Sequence, residues 1–168
     1  MSESSKQIFK GDDSSKEFII KCLKNDETHG FDIDSIYFYE GKYLIFEYLK
    51  DNNLKLSPHQ SDPKYYPYNW KKFYSLFQIT KKLNATLYLV NYSNGFGQGG
   101  EKQPENFKEQ VRLFEVIDVD IEKLEREYLN LPLGKRPKHC EYIKSNTKEL
   151  TFEEYSLWLR EINKKSRL

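Results

Sequence analysis

The stretch FDIDSIYFYEGKYLIFEYLK, residues 31–50, constrains the fold more than any other part of the chain. Ile33 to Tyr39 and Tyr43 to Lys50 are rich in aromatic and β-branched residues and flank Glu40-Gly41-Lys42. That pattern predicts a β-hairpin. Asp34 starts the first strand and Glu47 nears the end of the second, so an antiparallel pair turning at Gly41 sets them almost opposite each other. Two carboxylates held together repel, and burial would raise one pKa unless a cation lies between them. One resolution is a hard divalent ion, since Mg²⁺ takes one or two carboxylates and keeps several waters. With a lysine nearby, that is the chemistry of metal-assisted phosphodiester hydrolysis. The alternative is a solvated or salt-bridged surface pair.

Asp34, the Gly41 turn, the apolar run Leu44-Ile45-Phe46 and Glu47 resemble the core of the PD-(D/E)XK nuclease superfamily. The resemblance covers roughly residues 14 to 92. It implies a restriction-endonuclease-like α/β fold with a mixed central sheet flanked by helices. It also implies a Mg²⁺- or Mn²⁺-dependent nuclease acting on DNA, with the metal held by Asp34, Glu47 and the backbone carbonyl of Tyr48. In that family the lysine follows the acid by two residues, and here that position is Leu49. Lys50 comes one step later, and a side-chain period of two turns it away from Glu47. A β-bulge could bring it back, Lys72 could replace it, or the site could be a catalytically silent copy that binds nucleic acid or a protein. The resemblance adds Glu17, on the first predicted helix, and Gln78, on the second, as candidate site residues. The dipole at a helix N-terminus accounts for Glu17 without any site.

The predicted elements place these residues. Met1 to Asp13 is a polar, Ser-rich tail, and residues 14–168 form one α/β domain. A first helix runs from Ser15 to about Lys24 with Phe18, Ile19, Cys22 and Leu23 as its apolar stripe. Cys22 is expected to be buried. A connection with Pro58, Pro63 and Pro67 spans Asp51 to Tyr68 and carries His59, a candidate substitute base. A helix from about Asn69 to Leu83 leads into a strand over Ala85–Tyr92, as expected of an α/β crossover. The glycines of 93–106 lack the following helix of a dinucleotide fingerprint and predict a loop. A strand over Val111–Val119 and a short helix through Tyr128 follow. Lys135, Arg136 and Lys138 lie on an extended basic segment. Thr151-Phe152-Glu153-Glu154 reads as a capping box with Leu150 and Tyr155 as its hydrophobic staple. Tyr155, Trp158, Leu159 and Ile162 form the apolar stripe of the helix it starts.

Charge narrows the partners. Charged residues make up 32% of the 168, yet the formal net charge is only +1, so any nucleic-acid face must come from local asymmetry. Lys64, Lys71, Lys72, Lys81 and Lys82 fall in a run with no acid. Tyr65 and Tyr66 lie among them, as a phosphate backbone with splayed bases would require. Lys64, Tyr65, Tyr66, Lys71 and Lys72 are therefore the candidate DNA contacts. The conservative reading is a solvated helix face over core aromatics. No Cys/His spacing suggests zinc. No signal peptide or membrane-length apolar run appears, so the expectation is a cytoplasmic protein without membrane contact. The sequence leaves its oligomeric state open, a homodimer included.

Overall fold

The computed structural model describes residues 14–24, 30–129 and 140–166. The 1–13 tail and the basic segment 131–139 lie outside them. The chain divides into two units, residues 1–32 and 33–168. In the first, α1 (Ser14–Leu23) carries Glu17 in its opening turn, and Cys22, expected to be buried, is exposed.

The second unit is α/β. Five strands form one mixed sheet in sequential order, β1 (Ser35–Tyr39), β2 (Lys42–Lys50), β3 (Ala85–Tyr92), β4 (Gln110–Val119) and β5 (Ile143–Thr151). Only β2 and β3 run parallel; the other neighbours are antiparallel. The hairpin closes through Glu40 and Gly41, both with positive φ (50° and 83°). Two consecutive positive φ values make the tight turn whose twist matches paired strands. A parallel pair needs a crossover, and α2 (Trp70–Leu83) supplies it. Asn84, left-handed at φ 50°, stops α2 and hands the chain straight to β3.

Strand alternation sorts the core into two layers. Ile45, Leu49, Leu87, Leu89 and Phe114 pack with Phe73, Leu76 and Phe77 of α2. Leu44, Phe46, Val90, Val111 and Leu113 pack on the other side with Tyr155, Trp158 and Ile162 of α4 (Phe152–Lys165). The capping box that opens α4 is complete: the Thr151 hydroxyl accepts from the Glu154 amide, and the Glu154 carboxylate accepts from the Thr151 amide. Helix α3 (Ile121–Leu129) follows β4 with only Asp120 between. No helix among the described residues is long and apolar enough to cross a membrane.

Candidate active site

The β1–β2 register pairs Ser35 with Phe46, so one step further Asp34 faces Glu47. Asp34 lies just before β1, where the ladder ends. Its Oδ2 accepts the Tyr48 amide at 2.7 Å, taking the place of the strand carbonyl that is missing there. Within a strand the amide and carbonyl of one residue point to the same edge. The Tyr48 carbonyl therefore also faces the side on which Asp34 sits.

Glu47 is 5% exposed on the α2 side of the sheet. Lys72, in the first turn of α2, reaches down to it, with Nζ 2.6 Å from Glu47 Oε1. Glu47 Oε2 is buried with no hydrogen-bond partner. Burial pushes the Glu47 carboxyl up from 4.5 to about 7; Lys72 pulls against that rise and the facing Asp34 adds to it. The fold thus holds a carboxylate pair, an orphaned carboxylate oxygen and a lysine in one place.

The β2–β3 register runs unbroken from Tyr43 to Lys50. No bulge turns Lys50, and by alternation it points away from the face that carries Glu47. Leu49, at the position where the resemblance expects a lysine, is 5% exposed in the apolar layer under α2. Gln78 lies six residues beyond Lys72, about 240° further round the helix and ~9 Å along its axis, and the two do not converge. Glu17 belongs to the 1–32 unit. His59 commits Nε2 to the Leu150 carbonyl at 2.9 Å, anchoring the 51–69 connection to the end of β5.

The basic run is less free than its sequence suggests. Lys72 is paired with Glu47, and Lys64 lies 3.5 Å from Glu141. Lys71 and Lys81 sit over the rings of Trp70 and Phe77. Tyr66 is half-buried against the α2-side core, its hydroxyl 3.1 Å from Ser61 Oγ. Lys71, Lys81 and Lys82 remain on the exposed surface of α2.

Two polar residues close to this site escaped the sequence reading. Asp51 is 2% exposed; its Oδ1 accepts the Asn53 amide, its Oδ2 has no partner, and burial raises its pKa. Asn91, wholly buried and registered against Leu49, leaves both side-chain polar atoms unpaired. Asn91 was visible as the one amide in the apolar run ATLYLVNY. Asp51 lay two residues past Leu49, continuing the alternation of Glu47.

The donor set suits a hard cation. Asp34, the orphaned Glu47 oxygen and the Tyr48 carbonyl are oxygen donors of the kind Mg²⁺ or Mn²⁺ takes while keeping most of its waters. The described residues contain no group of three or more His, Cys, Asp or Glu placed to hold a metal by themselves, so waters would have to complete such a shell. Comparison with known proteins finds no matching family model, no matching curated protein and no matching solved structure.

Proposed function

We propose that this chain is a metal-dependent nuclease with a restriction-endonuclease-like core that hydrolyses DNA phosphodiester bonds. The observation that carries the reading is the Lys72 ammonium 2.6 Å from Glu47, where the resemblance asks for a lysine and position 49 cannot give one. A bound Mg²⁺ or Mn²⁺ would polarise the phosphoryl oxygen and acidify a water. Asp34, Glu47 and the Tyr48 carbonyl would hold the ion, and Asp34 is oriented for this by the Tyr48 amide. Lys72 would stabilise negative charge developing on the phosphate, at a partly water-excluded site where such an interaction counts most. Glu47 must be ionised to bind the ion, so its raised pKa makes metal affinity grow as pH rises through about 7.

The test is cleavage of single-stranded, duplex and branched DNA with Mg²⁺ and with Mn²⁺. Lys72→Ala should lower the rate by about 10²-fold or more and Glu47→Ala should abolish it, while Lys50→Ala leaves it unchanged. Calorimetry should show Mg²⁺ heats that disappear in Asp34→Ala. Wild type as inert as Glu47→Ala on every substrate would end the nuclease reading. It would favour a silent nuclease-like fold that binds nucleic acid or protein, for which the burial of Leu49 and the closed Lys72–Glu47 pair are the supporting features.

A further inference from the structure

On the α4 side of the sheet, next to Asp34, lies an apolar cleft of about 750 Å³, within the ~300–1,000 Å³ range of small-molecule sites. Its floor is Val90 and Val111, and Tyr48, Tyr92, Tyr155 and Phe152 stand around it. Phe152 is 53% exposed at the first position of α4, where neither the capping box nor the core requires an aromatic ring. Tyr48 and Tyr92 meet edge to face at 6.2 Å, and the Tyr48 and Tyr155 hydroxyls lie 2.9 Å apart. The pair is thereby held with its rings fixed. Asp34 belongs both to this cleft and to the carboxylate pair, and its charge reaches the Tyr92 hydroxyl.

We infer that this cleft receives a nucleobase, unstacked from a single strand or extruded from a duplex, whose adjoining phosphate lies at Asp34 and Glu47. A base is flat, apolar on both faces and polar along its edge. It matches aromatic rings around an apolar floor, because stacking on aromatic side chains is how unpaired bases are held. An unbroken duplex cannot enter, so the substrate class is DNA with unpaired or extrudable nucleotides. The inference rests on the nuclease reading for the position of the phosphate.

The experiment uses the full chain in EDTA, so that no divalent metal supports cleavage of the probe. The probe is a short single-stranded DNA carrying one 2-aminopurine. The wild type should quench its fluorescence saturably. Phe152→Ala, which removes an exposed ring and spares the core, and Tyr92→Leu should each weaken binding by about tenfold, the size of one lost base–aromatic stack. An oligonucleotide abasic at that position should lose a similar factor. Absence of quenching by wild type, or unchanged affinity in both Phe152→Ala and Tyr92→Leu, overturns the cleft assignment even if Mg²⁺-dependent cleavage is found. Quenching that depends on Phe152 and Tyr92 with no cleavage by any metal sinks the nuclease reading alone.

Discussion

The two faces of the sheet solve the problem of buried polar groups in opposite ways. On the α4 face, apart from Ser35 Oγ, which is buried without a hydrogen-bond partner, most polar atoms are tyrosine hydroxyls at the ends of large rings. They pair with each other, as Tyr48 does with Tyr155, while the rings stack around Phe46 and Trp158. On the α2 face a carboxylate, an amide and a second carboxylate (Glu47, Asn91 and Asp51) are buried with atoms left unpaired. An unsatisfied buried group costs about 1–3 kcal/mol, and an ion pair drawn out of water often returns no net stability. Both faces bury apolar layers that stabilise the fold, but the α2 face also holds groups whose presence stability does not explain.

The largest effect expected is on the α4 face. Phe46 is fully buried and meets the rings of Tyr37, Tyr88 and Trp158 within 6 Å. Phe46→Ala should cost roughly 3–5 kcal/mol in denaturant unfolding, and a loss below about 1 kcal/mol would mean this layer contributes little to stability. On the α2 face, Glu47→Leu combined with Lys72→Met should leave stability unchanged or raise it by about 1–4 kcal/mol, while eliminating the proposed cleavage. A marked loss of stability in that double variant would make the pair structural and break the contrast.

A third expectation concerns pH. Glu47 has a folded pKa of about 7 against an ordinary 4.5, so between those values the native state holds more protons than the unfolded chain. Its contribution to stability is then greatest below about pH 4.5, declines as pH rises to about 7, and is flat beyond. Subtracting the stability curve of Glu47→Gln from that of wild type should isolate this decline, and a difference that rises over that interval would put Glu47 in a favourable ion pair instead. The smallest effect belongs to Tyr155→Phe. It removes only the hydroxyl contact to Tyr48 and should cost about 0.5–1.5 kcal/mol by thermal or chemical unfolding.

What could be read ahead of the structure follows from how local each signal is. The hairpin, α2, β3, β4 and the capping box of α4 carry their instructions within a few residues, and all five elements form where their patterns put them. Strand β5 went unread because IKSNTKELT has only Ile143 and Leu150 as apolar anchors and is exposed along most of its length. Its strand character comes from pairing with β4, which no local pattern encodes. Asp34 and Glu47 were legible because a hairpin register relates residues across a two-residue turn. The choice between Lys50 and Lys72 was not, since residues 48–71 between Glu47 and Lys72 must fold before the ammonium has a position. The bulge that could have rescued Lys50 is absent for a related reason: β3 registers against every residue of β2 from Tyr43 to Lys50, and the strand has no slack.

Between β1 and α3, among the described residues, slack is confined to one end of the sheet. The turns from α2 to β3, β4 to α3 and β5 to α4 use one residue or none, whereas residues 51–69 and 93–109 leave from the carboxyl ends of the two parallel strands. Those two segments are sewn together: the Gln103 amide donates to the carbonyls of Asp51, at 3.0 Å, and Asn53. Gly97 lies so close to Asn52 that a Cβ there would come within 2.9 Å of its carbonyl oxygen. Length alone would mark both segments as soft targets for a protease, but cleavage requires a stretch of backbone to peel away into an extended form. Here the backbone of one loop is the hydrogen-bonding partner of the other, so neither can be nicked without first releasing both.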